Sequence, residues 1–201
     1  MIKFLTICIM IQCAAACSVL SAETTTVLAF GDSITERQDS YRSFLVPALA
    51  GKGLAVEFVG PKRDAISRHA GYSGKNTKYL RSVSKQIYSE YPADIVMIHS
   101  GHNSFSKDQP VPGIIRDTEA IIDIHPQLPP ALIFSTRDDR TAPTQKAEQI
   151  AKAFREAHVP VQLEIYERGG HMAFNFPSPN AADWPQRFRH WIQQFNFQSN
   201  R

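Results

Sequence analysis

Phe30-Gly31-Asp32-Ser33-Ile34-Thr35 decides how the chain is read. Just upstream, Thr25-Thr26-Val27-Leu28-Ala29-Phe30 is short, β-branched and apolar and stops at a glycine, the pattern of a buried strand. After Asp39, the residues Tyr41, Phe44, Leu45, Ala48 and Leu49 recur at helical spacing. A serine between such a strand and such a helix sits where backbone N–H groups converge and can stabilise an oxyanion. Alone, Gly-Asp-Ser fits a helix-capping turn just as well. The rest of the chain decides between the two.

The 201 residues are 43% hydrophobic and 20% charged, which suits one globular domain with a sizeable core. A formal net charge of +3 with no Lys/Arg stripe among aromatics argues against a nucleic-acid partner. Residues 1–22 carry one lysine, then the apolar runs Phe4 to Met10 and Cys13 to Ala16, then small residues. That is the pattern of a secretory signal peptide, too short and wrongly flanked for a stable membrane span. Cleavage near Ala22 would remove Cys8, Cys13 and Cys17, the three cysteines of the chain, leaving no disulfide or thiol chemistry. Ala14-Ala15-Ala16-Cys17 faintly matches a lipoprotein box but lacks its leucine, so a secreted or periplasmic protein is expected, with residues 23–201 as a single domain.

Past the signal, strand-like and helix-like segments alternate. The expected strands are Val27–Phe30, Val56–Val59, Asp94–Ser100, Ala131–Ser135 and Val161–Tyr166. Helical stripes lie at Leu80, Val83, Ile87, at Ile114, Ile115, Ile121, Ile122, at Ala147, Ile150, Ala151, Phe154, and at Trp184, Phe188, Trp191, Ile192, Phe195. The last is read as core packing. Alternation of this kind predicts an α/β fold with a parallel sheet covered on both faces and function at the carboxyl ends of its strands.

Two further segments follow expected strands: His69-Ala70-Gly71-Tyr72-Ser73-Gly74 and Gly101-His102-Asn103-Ser104. With the Gly-Asp-Ser stretch they resemble, over residues 26 to about 122, the SGNH (GDSL) hydrolases, and the Gly-His-Asn form resembles the branch acting on acetylated carbohydrates. The resemblance implies a three-layer, flavodoxin-like fold with a five-stranded parallel sheet. It implies Ser33 as nucleophile and an oxyanion hole of the Ser33 N–H, Gly74 and Asn103. His102 and Asp32 are expected near the substrate. One departure is Ser104, where that family usually has aspartate.

The usual late Asp-x-x-His motif of that family is missing; Asp123-Ile124-His125 is one residue too short, and Asp183 and His190 are too far apart. Instead Ala131-Leu132-Ile133-Phe134-Ser135-Thr136-Arg137-Asp138-Asp139-Arg140 and Val161-Gln162-Leu163-Glu164-Ile165-Tyr166-Glu167-Arg168-Gly169-Gly170-His171 resemble the end of an α/β-hydrolase of the acetylxylan or feruloyl esterase type. That resemblance, covering about 126–197 with a junction near 122–126, implies Asp139 and His171 as triad acid and base. Asp138 stays open as the acid, since sequence does not separate adjacent aspartates. The alternative is a Gly-Gly-His turn bonding backbone and an acidic pair ahead of the helix at Thr144.

The expectation is therefore a serine esterase cleaving O-acetyl or similar short acyl esters, on carbohydrate, through an acyl-serine intermediate. The partner is an acetylated carbohydrate or other small ester. No cofactor is called for, and the remaining histidines lack metal-ligand spacing. Arg137, Arg140 and Arg168 flank the acid and base and are read as solvated charges or sugar contacts. Two alternatives stand beside this. One is a lipid or aryl ester hydrolase using Phe105, Phe174 and Phe176 as a lid; the other is an inactive glycan-binding hybrid.

Overall fold

β1 (Thr25–Gly31) runs through the middle of the molecule, with Val27, Leu28, Ala29 and Phe30 fully buried. The computed structural model describes residues 24–50, 54–100, 102–104, 111–123, 128, 130–140, 143–171, 173–174 and 178–194. The expected signal peptide at 1–22, with Cys17, and most of the expected junction lie outside the described residues.

One edge of β1 is shared by two strands in succession. β2 (Val56–Val59) pairs in parallel from Thr25↔Val56 to Leu28↔Val59, and β4 (Arg68–Gly71) continues with Phe30↔Ala70 and Gly31↔Gly71. A short β3 (Lys62–Arg63) lies antiparallel to β4. The other edge takes β5 (Ile95–His99), parallel from Val27↔Ile95 to Gly31↔His99. Its register is pinned where the Asp94 carboxylate accepts from both the backbone N–H and the hydroxyl of Thr26, each at 2.8 Å.

A strand buried on both faces needs apolar cover on both, and the alternating elements supply it. Val27 and Ala29 cluster with α2 (Tyr41–Ala50) through Tyr41, Leu45 and Leu49, and with α6 (Trp184–Gln194) through Trp184, Phe188, Trp191 and Ile192. Leu28 and Phe30, pointing the other way, pack with Leu80 and Ile87 of α3 (Thr77–Glu90) and Ile121 of α4 (Val111–Ile122). The result is the expected three-layer α/β arrangement.

All five expected strands form, and where they pair with each other they are parallel. β6 (Ala131–Thr136) and β7 (Val161–Tyr166) run in register from Ala131↔Val161 to Thr136↔Tyr166, with α5 (Thr144–Glu156) between them in sequence. Among the described residues the ladder is in two pieces, since β5 pairs with β1 and β6 with β7. Side chains join the pieces. Leu132, Phe134, Tyr166 and Phe174 pack against the same cluster as Val27, Ala29 and Trp184. β3 and β4 were not expected, because Arg68-His69-Ala70-Gly71 shows no apolar alternation; β4 forms because its end docks on β1. Among the described residues, no helix is long and apolar enough to cross a membrane.

Candidate active site

β1 ends at Gly31 and the chain turns at once into a one-turn helix, α1 (Ser33–Glu36). Asp32 is its N-cap. The carboxylate Oδ1 accepts from the Ile34 N–H at 3.0 Å, and the Asp32 N–H donates to His99 O at 3.2 Å, across from β5. Ser33 is therefore the first helical residue, whose N–H has no intrahelical acceptor and is available to an oxyanion. The Ser33 side chain is half-buried, and among the described residues no hydrogen bond reaches its hydroxyl. Asp32, expected near the substrate, has no exposed surface and serves as the cap instead.

The Gly74 loop is tied to this turn. The Tyr72 N–H donates to Gly31 O at 2.9 Å, and the Ser73 N–H donates to the Glu36 carboxylate at 2.6 Å. Gly74 is the third residue of the Tyr72–Lys75 turn and takes φ +72°, a conformation open to glycine without steric cost. The neighbouring Gly71 N–H is committed to His69 Nδ1 at 3.0 Å. Burial works to raise the Glu36 carboxyl, but Lys62 at 2.6 Å and the Ser73 N–H outweigh it and hold it below the ordinary range.

Asn103 sits in a 3₁₀ turn, His102–Ser104, after β5. One hydrogen of its amide is donated to Lys75 O at 3.0 Å, locking it to the Gly74 loop and leaving the second for a ligand. Ser104, the departure from the family pattern, is buried and accepts from the Thr77 N–H at 2.9 Å, so it caps α3. The short residue thus keeps the turn docked. The His102 side chain is outside the described residues.

The carboxyl ends of β6 and β7 bring the second group together. His171 Nδ1 lies 3.0 Å from Asp139 Oδ2, with the carboxylate mostly buried. Asp138 does something different. It is exposed, and its two oxygens accept from Gly169 N–H at 3.2 Å and Gly170 N–H at 2.8 Å. The Gly170 bond, helped by Gly169, holds the Asp138 carboxyl below the usual range. Of the two adjacent aspartates, Asp139 is the one whose carboxylate meets the His171 ring. Arg137 pairs with Glu167 at 3.0 Å, while Arg140 and Arg168 are exposed. Phe174 packs against Phe134 and Tyr166 at 5.6 and 5.5 Å between ring centres, so it does not serve as a lid; Phe105 and Phe176 lie outside the described residues.

His99 was not anticipated. It is the register partner of Gly31, stacks on Tyr41 at 6.1 Å and places Nδ1 3.7 Å from Asp32 Oδ1. The only available signal was its place at a strand's carboxyl end. Among the described residues there is no group of three or more side chains able to hold a metal ion.

A family model for the GDSL-like lipase/acylhydrolases matches residues 29–196, a span that takes in both the Ser33 turn and the Asp139–His171 end. The chain belongs to the GDSL-like lipase/acylhydrolase family. As a member of that family it is a carboxylic ester hydrolase. Solved structures share its fold. A family 3 carbohydrate esterase from Clostridium thermocellum aligns at 21% identity and TM-score 0.55, over 71% of this chain and 78% of that one. A family 3 carbohydrate esterase from Talaromyces cellulolyticus gives 18% and 0.56, over 86% and 100%. An acetyl esterase mutant holding acetate gives 18% and 0.58, over 85% and 99%. No curated protein matches the sequence.

Proposed function

We propose that this GDSL-like hydrolase is a secreted serine esterase that removes O-acetyl or similar short acyl groups from carbohydrate. The observation that carries the reading is the 3.0 Å contact between His171 Nδ1 and Asp139. A carboxylate at Nδ1 stabilises the tautomer with its proton there and leaves Nε2 as a base. In the reaction Nε2 takes the Ser33 hydroxyl proton as Oγ attacks the ester carbonyl. The carbonyl oxygen gains negative charge and is met by the Ser33 and Gly74 N–H groups and the Asn103 amide. Asp139 stabilises the imidazolium, which then protonates the departing sugar oxygen, so that the sugar leaves as an alcohol. Water, activated by the same imidazole, releases the acid from the acyl-serine.

The acetyl and carbohydrate assignments are supported by the shared fold with carbohydrate and acetyl esterases and by the Gly-His-Asn form. Export rests on the pattern of residues 1–22. The test is turnover of a small acetyl ester by the purified protein beside Ser33→Ala and His171→Ala, with folding checked by circular dichroism. Each variant is expected to lose on the order of 10⁴-fold or more in kcat. Turnover by folded His171→Ala within tenfold of the parent would sink the assignment. Acetate release from acetylated xylan against glycerol esters then tests the substrate class.

A further inference from the structure

We infer that Asp138 is a positioning residue for His171. The two adjacent aspartates divide the work between them, Asp139 holding the imidazole and Asp138 holding the turn that carries it. This rests on the reading of His171 as the base. The in-register β6–β7 ladder ends at Thr136↔Tyr166, followed by one last bond from the Arg137 N–H to Tyr166 O at 2.8 Å. Beyond that rung side chains take over. The Asp138 carboxylate binds the N–H groups of Gly169 and Gly170, and the buried Thr136 hydroxyl donates to Gly170 O at 2.9 Å. The residue immediately before His171 is thus held at both its N–H and its C=O.

The turn itself needs holding. Gly169 and Gly170 take φ +150° and +64°, which gives this stretch wide conformational freedom when nothing restrains it. Two consecutive N–H groups pointing at one anion form a nest, and a carboxylate with two acceptor oxygens satisfies both. An asparagine would offer one acceptor and turn an NH₂ toward the other N–H. The charge is therefore part of the device. Asp139, by contrast, contacts the imidazole.

The division is tested by comparing Asp138→Asn, Asp138→Glu and Asp139→Asn in pH–rate profiles on p-nitrophenyl acetate, with imidazole NMR of ¹⁵N-histidine-labelled protein. Asp138→Asn is expected to lower kcat about 10- to 100-fold with KM little changed, the cost of a misplaced catalytic group. The acidic limb should stay at the parental pH, and the His171 ring signals should broaden. Asp138→Glu should recover part of the loss. Asp139→Asn should cost on the order of 10⁴-fold and move the limb, since the imidazole loses its carboxylate.

An Asp138→Asn enzyme with parental kcat and sharp His171 signals would overturn the inference. So would a limb displaced as in Asp139→Asn, which would make Asp138 the acid. If Asp138→Asn fails to fold, Thr136→Val releases the same turn from its carbonyl side, with the same loss expected and parental kcat again overturning the idea. The NMR arm keeps the two readings separate. If His171→Ala proves fully active, the base assignment falls, while the ring signals still report whether Asp138 orders His171.

Discussion

Arg42 has no exposed side-chain surface, and its guanidinium lies beneath the turn that begins at Ser33. Its Nε donates to Thr35 O at 2.7 Å, and Nη2 donates to Glu36 O and Arg37 O at 3.1 and 3.3 Å, so one side chain gathers the carbonyls that end α1. The same guanidinium grips Asp64 at 3.2 and 2.6 Å. Burial works to raise the Asp64 carboxyl, but Arg42 and the N–H groups of Ser67 and Ile66 override it and hold it far below the ordinary range. His69 lies alongside, 3.6 Å from Asp64. Burial first, then Arg42 and Lys62, push its imidazole below the usual value against the opposing pull of Asp64 and Glu36. Both groups have folded-state pKa values below their unfolded ones. Each contribution is therefore complete above the unfolded pKa and drains away as pH falls toward the folded value. Stability should begin to drop below about pH 6.5 for His69 and again below about pH 4 for Asp64. Melting temperatures from pH 8 to 3 should show both steps, and His69→Gln should lack the first. A His69→Gln curve parallel to the parent's would refute that role.

At the scale of the element, α1 is a single turn of helix pressed against the end of β4. A Cβ on Gly71 would lie 2.4 Å from Glu36 N and 2.8 Å from Thr35 C, both backbone atoms that move only if the helix moves. Gly71→Ala should displace α1 and with it Ser33. The expected result is a loss of about 1–3 kcal/mol in stability from overpacking and of roughly 100-fold in kcat from misplacing Ser33, the proposed nucleophile. Denaturant titration and steady-state kinetics read both, and a folded variant with parental kcat would mean that β4 yields instead of α1. The neighbouring α3 uses a similar economy of parts. Asn76 accepts from the Tyr79 N–H at 3.0 Å, and Ser104 accepts from the Thr77 N–H, so the turn bearing Asn103 doubles as a helix cap.

Across the whole molecule, the Asp139–His171 end rides on a strand pair that meets the β1 sheet through side chains. Trp184 is the main joint. It is 4% exposed and meets Phe44 of α2 edge-on at 5.8 Å and Phe134 of β6 at 5.7 Å. Arg187 adds a polar clasp, with Nε 2.8 Å from Asp183 and Nη1 2.5 Å from Glu164 of β7. Trp184→Ala should cost about 3–5 kcal/mol. Hydrogen exchange should quicken in β6 and β7 before β1, with kcat falling as the His171 group loses its seat. Equal loss of protection in β1 and β7 would instead mark a single cooperative unit with no weaker joint.

Sequence alone determined five of the strands, the main helices between them and their order. A strand such as Val27 to Phe30, apolar at every position, has few choices but burial on both faces, and the helical stripes need that same core. The placing of Ser33 and Asn103 at strand ends was legible because each motif stands directly after its predicted strand, whereas Gly74 follows β4, which carries no strand pattern. Tertiary structure decided which of two adjacent aspartates meets His171, since that depends on how two chain ends leave a shared register. It decided that Asp32 is buried, because a capping carboxylate points back into its own helix. It also produced β4 and placed His99 near Asp32, since those contacts join residues that only packing brings together.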